Sequence, residues 1–267
     1  MDELALAHQL IHERTVAASL RVAHCALPIV REDARRRPEV IASSVLVTFP
    51  PRHFLLTAEH AISSDSRSAT YVPIGSKLLK LSGAFIGTMP ADPGAKDLDV
   101  AFLPLSESLV ADIGTERFLT KDNISPWNAP RPGRHALVVG FPSSKGRTNP
   151  HTGQLKYDTF RYSSTTTLPE RLEAVGYSRS CHLGVDFDRD WTVLNVELSR
   201  APDPIGMSGA AVFGFQSLLM DSARDPLVGI VTTWRRQEPL CLVATDIGVV
   251  SDGIFAHFPE CDCRRAP

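Results

Sequence analysis

Short apolar runs separated by turn residues make up most of the chain from about residue 16 onward. The runs are rich in β-branched side chains and end at Pro, Gly, Asn or Asp, and the 267 residues include 20 prolines and 17 glycines. Such frequent interruption favours strands over long helices. The pattern therefore predicts an all-β protein, either a sandwich or a barrel.

The predicted strands form two groups of six on either side of a polar, proline-rich segment. The first group is 16–25, 40–49, 54–58, 69–73, 77–81 and 99–105, and the second group is 136–141, 158–167, 193–198, 210–215, 227–234 and 240–246. Segment 121–134 between the groups has the composition of an interdomain linker. We therefore expect two six-stranded antiparallel β-barrels, at 16–120 and 135–257, because a closed barrel leaves no strand edge exposed. Residues 258–267 are expected to form a C-terminal tail.

The first 15 residues differ from the rest and predict a short N-terminal helix. Leu4, Leu6, Leu10 and Ile11 recur among polar residues, and Asp2 could cap the first turn. We expect this helix to lie outside the β core. A helix in that position could dock a regulatory protein partner or a second copy of the chain.

A small set of polar residues could carry nucleophilic chemistry. The run Gly206-Met207-Ser208-Gly209 places a hydroxyl on a tight turn whose own N–H groups can point at a developing oxyanion. His60 follows the apolar run 54–58 and could act as the base. Asp99, just before another apolar run, could accept a hydrogen bond from the His60 ring, with Asp97 as the second choice. The order along the chain is then His, Asp, Ser.

This order and the flanking segments resemble the trypsin-like serine proteases. The pair 45–49 and 54–58 resembles the strands that lead to the family's histidine. Val138-Val-Gly-Phe-Pro142 resembles the strand that opens its second barrel, and Val228-Gly-Ile-Val-Thr-Thr-Trp234 resembles the strand that lines its substrate cleft. The resemblance covers about residues 18–257 and is greatest to the bacterial stand-alone trypsin-like peptidases.

The resemblance implies a chymotrypsin-type fold and a serine endopeptidase with a His60/Asp99/Ser208 catalytic triad and no cofactor. His60 and Asp99 would come from the first barrel and Ser208 from the second. The backbone N–H groups of Gly206 and Ser208 would form the oxyanion hole for a protein or peptide substrate.

The resemblance also implies the residues of a specificity pocket. Pro202 and Asp203 would lie at its base, and Thr232, Thr233 and Trp234 along its wall. Asp203 could select Lys or Arg in the substrate. Equally, Trp234 could narrow the pocket for small residues while Asp203 pairs elsewhere.

Two departures from the family pattern keep other functions open. Met207 stands where zymogen-activated members carry an Asp that pairs with a new N-terminal amine, so that switch is unavailable. Ala210 and Ala211 replace the usual glycine or proline. The alternative is a catalytically inactive, protease-like module that binds a peptide as an added strand. A third possibility is an enzyme that stays latent until a partner activates it.

Composition restricts the partners and the compartment. The net charge of −2 gives no reason to expect nucleic acid or an anionic membrane as a partner. The N-terminus lacks the basic and apolar regions of a secretory signal, and the five cysteines are an odd number, so we expect a cytoplasmic protein with reduced thiols. The arginine-rich segment 31–37 reads as a solvated loop between two strands.

Two weak patterns could suggest a metal ion, but we expect none. His8 and His12 have helical i, i+4 spacing without a third ligand nearby. Cys261 and Cys263 form a single Cys-x-Cys, whereas structural zinc normally needs four ligands in paired spacings.

Overall fold

Two antiparallel β-sheets account for most of the regular structure in the computed structural model. The structure describes residues 3–63, 69–87, 98–125, 135–189, 192–194, 197–199, 201–215 and 225–262. Most of the predicted linker, at 126–134, lies outside the described residues. Residues 121–125 include one 3₁₀ turn, Lys121–Asn123.

The first sheet contains seven described strands. They are β1 Ala26–Glu32, β2 Pro38–Phe49, β3 Arg52–Ala58, β4 Thr70–Ile74, β5 Lys77–Lys80, β6 Ile86–Gly87 and β7 Val100–Pro104. Their order across the sheet is β5-β4-β1-β2-β3-β7-β6. Ala58 at the end of β3 pairs with Val100 at the start of β7. The segment that follows Ala58 therefore lies beside the segment that precedes Val100.

Residues 33–37 of the arginine-rich segment form the loop between β1 and β2, as expected, whereas Arg31 and Glu32 belong to β1. Asp33 organises this turn. Its carboxylate accepts hydrogen bonds from the Arg35 and Arg37 backbone N–H groups at 2.8 and 2.9 Å and from the Arg37 guanidinium. The side chains from 34 to 37 are exposed, so the positive charge of this segment is solvated.

The second sheet contains six strands that close on themselves. They are β8 His135–Gly140, β11 Phe160–Thr165, β12 His182–Asp186, β15 Ala211–Gly214, β16 Leu227–Arg235 and β17 Cys241–Asp246, in the order β11-β8-β15-β16-β17-β12. The Thr167 N–H donates to the Gly184 carbonyl at 2.9 Å, and Thr166 bridges Val185. These contacts join the outer strands β11 and β12, so the sheet forms a barrel.

Two small hairpins among the described residues form separate two-stranded sheets. One pairs β9 Gly146–Thr148 with β10 Leu155–Tyr157, and the other pairs β13 Thr192–Leu194 with β14 Glu197–Ser199. The sequence pattern predicted a single strand over 193–198, whereas the structure has two short antiparallel strands, β13 and β14, in this part of the chain. The all-β prediction with two barrel-like units is confirmed.

The predicted strand at 16–25 is wrong, because this segment belongs to a long helix. Helix α1 spans Glu3–Val22 and a 3₁₀ turn, Ala23–Cys25, follows it. The segment contains Ala17, Ala18, Leu20 and Arg21, which are strong helix formers. The strand in this part of the sheet is β1, which begins only at Ala26.

The expectation that the N-terminal helix lies outside the core is also wrong. Ala18 and Val22 of α1 are buried in an apolar cluster that includes residues of both sheets. Arg14 is buried, and its guanidinium makes an ion pair with Asp225 and lies 4.8 Å from the centre of the Phe215 ring. Arg21 reaches the same carboxylate at 2.9 Å. The sequence conceals this contact, because Asp225 lies more than 200 residues away from both arginines.

The described ranges contain four further α-helices, which lie between or after the strands. They are α2 Glu59–Ser63, α3 Glu107–Ile113, α4 Pro169–Glu173 and α5 Ile247–His257. The Asp246 carboxylate caps α5 by accepting the Gly248 N–H at 2.7 Å, which satisfies an N-terminal donor of that helix.

The predicted C-terminal tail is partly buried. A 3₁₀ turn, Pro259–Cys261, follows α5, and Cys261 and Asp262 have almost no exposed surface. The Phe258 ring packs 5.5 Å from the ring of Phe54 in the first sheet, which anchors the segment. Residues 263–267, with Cys263, lie outside the described residues.

One apolar cluster fixes the two barrels against each other. It includes Phe54 and Phe102 of the first sheet and Phe141, Phe213 and Ile230 of the second, all nearly or completely buried. Burial on this scale makes the relative position of the two sheets part of the core packing. The candidate site described below draws its residues from both.

Candidate active site

The structure brings His60, Asp99 and Ser208 into hydrogen-bonding distance. His60 lies in α2 directly after β3, Asp99 lies directly before β7, and Ser208 lies in the loop before β15. His60 Nδ1 is 2.6 Å from Asp99 Oδ2, and His60 Nε2 is 3.0 Å from Ser208 Oγ. The adjacent strands β3 and β7 place the first two residues together, and the packing of the barrels brings the third.

Asp99 is held by its backbone as well as by its carboxylate. Its Oδ1 accepts the His60 backbone N–H at 2.9 Å, and its carbonyl accepts the Glu59 N–H at 2.9 Å. Its φ is +50°, a left-handed conformation that is uncommon for residues other than glycine. These bonds hold the strained residue with its carboxylate toward the imidazole. Asp97, the second choice from the sequence, lies outside the described residues.

The environment of His60 favours its protonated form. The hydrogen bond to the Asp99 carboxylate raises the pKa of the imidazole above its usual value, the negative charge of Asp99 adds to the increase, and partial burial opposes it. Because a carboxylate only accepts, Nδ1 carries the proton in this pair, and Nε2 is left to accept from the Ser208 hydroxyl. This arrangement suits a general base that becomes an imidazolium during a reaction.

The loop that carries Ser208 needs glycine on both sides. Gly206 has φ of +91° and Gly209 has φ of +87°. A Cβ at Gly206 would lie 2.6 Å from Ser143 Oγ, and one at Gly209 would lie 2.0 Å from the Ser43 carbonyl oxygen. Either side chain would force the loop to move.

The two N–H groups predicted as oxyanion donors make no hydrogen bond within the described part of the chain. The Gly206 and Ser208 N–H groups have no acceptor there, whereas the Met207 N–H between them donates to the Pro204 carbonyl at 2.8 Å. The loop thus satisfies the Met207 N–H internally and leaves the Gly206 and Ser208 N–H groups for a ligand.

Met207 occupies an apolar environment. It is 1% exposed and belongs to the core of the second barrel. A Cβ on Gly140 would lie 2.9 Å from Met207 Cε, so the glycine provides the space for this side chain. Burial of the thioether therefore anchors the loop.

Gly140 also accommodates the methyl group of Ala210. A Cβ on Gly140 would lie only 2.6 Å from Ala210 Cβ, so the two positions share a single methyl-sized space. Ala210 is completely buried, and its N–H donates to the Met207 carbonyl at 2.8 Å. The departure from glycine at residue 210 is thus matched by glycine at residue 140.

Asp203, one of the predicted pocket residues, is paired within the protein. Its Oδ2 lies 3.4 Å from Arg189 Nη1, and its Oδ1 accepts the Ile205 N–H at 3.1 Å. Both side chains of the ion pair are 31% exposed. Pro202, beside it in the same loop, is half-buried.

The predicted pocket wall lies on β16. Thr232 is buried, while Thr233 and Trp234 are half-buried. The Trp234 ring contacts Phe187 edge-on, with centroids 6.3 Å apart, and the Arg236 guanidinium lies 4.4 Å from its centroid. This packing limits the positions that the indole can adopt.

The sequence interpretation missed three hydroxyl groups that connect the site to the rest of the fold. Ser43 on β2, Thr57 on β3 and Thr245 on β17 are completely buried, and each hydroxyl donates to a backbone carbonyl. The available signal was weak. It consisted of polar residues within strands that are otherwise apolar, which are expected to find hydrogen-bond partners when buried.

Other features of the described residues concern metals, thiols and membranes. Among them, no group of three or more His, Cys, Asp or Glu side chains could hold a metal ion. The four cysteines within the described ranges are unpaired, and burial raises the pKa of Cys25 to about 12 and of Cys241 to about 11. None of the helices in the described ranges is both long and apolar enough to span a bilayer.

Several solved structures have a similar fold, although neither a family model nor a curated protein sequence matches this chain. The protein GrC is 14% identical with a TM-score of 0.54, over 88% of this chain and 94% of that one. A thermostable serine protease, AL20, from an extremophilic microorganism is 14% identical with a TM-score of 0.51, over 87% of this chain and 96% of its own. An inactivated protease paralogue of the scabies mite is 13% identical with a TM-score of 0.51, over 89% and 94%.

At these identities the likeness concerns the fold and not the chemistry. A protein named as a protease and one named as inactivated share it to the same degree. The chain therefore has the chymotrypsin-type fold of the trypsin-like serine proteases.

Proposed function

We propose that this protein is a serine endopeptidase of the kind found among the bacterial stand-alone trypsin-like peptidases. One observation carries the proposal, namely the continuous hydrogen-bond chain from Asp99 Oδ2 through both ring nitrogens of His60 to Ser208 Oγ. These three residue types in this geometry activate a hydroxyl for attack on a carbonyl.

The reaction follows from the roles that the contacts permit. His60 Nε2 takes the proton of Ser208 as Oγ forms a bond to the carbonyl carbon of the substrate. Asp99 keeps the other ring nitrogen protonated and stabilises the imidazolium. The N–H groups of Gly206 and Ser208 bind the oxyanion, and His60 then protonates the leaving amine. Water hydrolyses the acyl-enzyme by the same steps in reverse order, which restores Ser208.

The substrate is a protein or peptide, and we propose that the side chain bound next to the scissile bond is uncharged. Asp203 already neutralises Arg189, and its second oxygen is bonded to the Ile205 N–H. A substrate lysine or arginine would have to displace Arg189 to pair with this carboxylate. Trp234 along the proposed wall favours a small residue over a large one.

The alternative is a catalytically inactive module that binds a peptide without cutting it. Its main support in the sequence was the alanine pair 210 and 211. The space that Gly140 leaves for the Ala210 methyl weakens that support, because the substitution is accommodated without displacing Ser208 from His60. We therefore place the peptidase first.

Activity could also depend on a regulatory protein partner that binds helix α1. Leu6, Leu10 and Leu20 of this helix are exposed, and they fall along one side at helical spacing. A partner that covers this side would contact an element that Arg14 and Arg21 tie to the second barrel through Asp225. Latency in the isolated chain is therefore part of the proposal to be tested.

Incubation with a complex peptide library, followed by mass spectrometry of new termini, tests the function. The proposal predicts cleavage by the wild type and none by Ser208→Ala at the same concentration. Specific peptide capture by both proteins without new termini would establish the inactive binding module instead.

A further inference from the structure

A buried hydroxyl of the first barrel contacts the nucleophile loop of the second. Ser43 lies on β2 and has no exposed surface. Its Oγ donates to the Gly206 carbonyl at 2.9 Å and accepts the Phe141 N–H at 2.8 Å. Its backbone N–H donates to the Ser208 carbonyl at 2.8 Å. One residue thus makes contacts on both sides of Met207 and with the end of β8.

Ser43 is itself held by the strand that leads to His60. The Thr57 hydroxyl on β3 donates to the Ser43 carbonyl at 2.8 Å. Thr57 is completely buried and lies close to His60 in the sequence. The network therefore connects the strand that carries the proposed base to the loop that carries the proposed nucleophile.

The Gly206 carbonyl belongs to the same residue as a proposed oxyanion donor. The Gly206 N–H is one of the two proposed oxyanion donors, and a glycine at φ of +91° can rotate about its backbone bonds with little steric restraint. Rotation would turn this N–H away from the reacting carbonyl. Two sets of hydrogen bonds restrain that rotation. The Ile205 carbonyl, in the same peptide group as the Gly206 N–H, accepts the Ser143 N–H at 2.8 Å. The next peptide group is held by Ser43 Oγ at its carbonyl and by Pro204 at its N–H.

We propose that Ser43 is a positioning residue whose hydroxyl holds the oxyanion hole in its productive conformation. The inference rests on the proposed peptidase function. A contact between the barrels would then hold the nucleophile loop, because Met207 has no carboxylate that could form an ion pair. The conformation of the oxyanion hole then depends on how β2 packs against the nucleophile loop. Activation by a new N-terminal amine is not required.

The neighbouring residue provides a matched control. Ser44 is also completely buried, but its hydroxyl donates to the Leu27 carbonyl at 2.9 Å, within the first sheet. Ser43→Ala and Ser44→Ala each remove one buried hydroxyl from the same strand. They differ in whether the lost bond reaches the nucleophile loop.

The experiment compares kcat, KM, the pH profile and the affinity for a peptide boronate across the wild type and both variants. Active sites are counted with a fluorophosphonate, so that only folded, reactive protein enters kcat. Loss of an entire oxyanion donor costs about 10²–10³ in kcat, so a donor that is only loosened should cost roughly 10–10². Ser43→Ala is expected to lose this much in kcat and in boronate affinity, with KM and the pH midpoint unchanged. Ser44→Ala should stay within about threefold of the wild type, because its lost bond lies within the first sheet and leaves the nucleophile loop in place.

Three results would overturn the inference or its premise. Equal kcat for Ser43→Ala and Ser44→Ala, with an active wild type, overturns the role of Ser43 alone. If Ser43→Ala does not fold, Ser43→Cys keeps the volume with a weak S–H donor, and wild-type kcat in that variant overturns the role equally. A folded wild type that reacts with neither the fluorophosphonate nor the boronate overturns the premise that the isolated chain has a productive active site.

Discussion

The hydroxyl of Thr245, on β17 of the second barrel, donates a hydrogen bond to the carbonyl of Leu98, the residue before Asp99 in the first barrel. Thr245 is completely buried. The bond restrains the chain at the point where it enters the left-handed conformation of Asp99. The carboxylate that orients His60 is thus positioned partly by the opposite barrel.

Thr245→Val removes this donor while keeping a branched side chain. A buried carbonyl that loses its partner costs about 1–3 kcal/mol of stability, and release of Leu98 should also slow the reaction of Ser208 with a fluorophosphonate. Denaturant unfolding and labelling rates measure the two effects. Ser44→Ala is the control, because the Ser44 hydroxyl is also completely buried but donates to the Leu27 carbonyl within the first sheet. Equal labelling rates in the two variants would contradict the role given to Thr245.

The reaction of Ser208 should depend on pH through His60. The pKa of this imidazole is raised above 6.5 by the Asp99 carboxylate, and only the neutral ring can accept the serine proton. The labelling rate should therefore rise with pH and reach half its maximum above pH 6.5. Asp99→Asn should lower that midpoint and reduce the rate by about 10⁴, the scale of this change in a known Ser-His-Asp triad.

The same pKa shift predicts how stability depends on pH. A raised pKa in the folded state means that folding favours the protonated ring, so the contribution is fully present below the unfolded pKa and is lost as pH rises through the folded pKa. The difference in unfolding free energy between wild type and Asp99→Asn should accordingly shrink from pH 6 to pH 9. A constant difference across this range would contradict the assignment.

Gly140 and Ala210 should behave as a coupled pair. In Gly140→Ala the new methyl would meet Ala210 Cβ at 2.6 Å and Met207 Cε at 2.9 Å. Such overpacking costs typically about 1–3 kcal/mol and should displace the Ser208 loop. The double variant Gly140→Ala with Ala210→Gly removes the contact with residue 210 but keeps the contact with the flexible end of Met207, so unfolding free energy and labelling rate should both recover in large part. Additive losses in the double variant would show that the residues do not share this space.

The ion pair between Arg189 and Asp203 should control the charge that the substrate can carry. Peptide libraries cut by the wild type should show no preference for Lys or Arg before the scissile bond. Arg189→Ala frees the Asp203 carboxylate, and the relative kcat/KM for substrates with Lys or Arg should rise. The variant Arg189→Ala with Asp203→Ala is the control and should lose that gain. A wild type that already prefers basic residues would contradict our interpretation of Asp203.

Local patterns in the sequence were sufficient for the residues that form the candidate site. The glycines around Ser208, the apolar run before His60 and the apolar run after Asp99 each reflect a backbone requirement within a few residues. Alternation and turn residues likewise located most strands to within a few positions. These signals are local, and therefore a single sequence reveals them.

Features that depend on distant partners could not be predicted. The burial of α1 depends on Asp225, and the extent of the helix past residue 15 is stabilised by that packing. Ser43 and Thr245 looked like ordinary polar residues in apolar strands, because the carbonyl that each one meets lies about 150 residues away. The fit between Gly140 and Ala210 likewise appears only once β8 and β15 are adjacent.

The central claim is that His60 and Asp99 make Ser208 an activated nucleophile. Intact-mass and peptide-level mass spectrometry after reaction with a fluorophosphonate, on wild type, Ser208→Ala and His60→Ala, tests it most directly. The structure predicts one adduct on Ser208 of the wild type, with none in Ser208→Ala and at most a trace in His60→Ala. An unlabelled wild type that is folded, or equal labelling in His60→Ala, would contradict the claim.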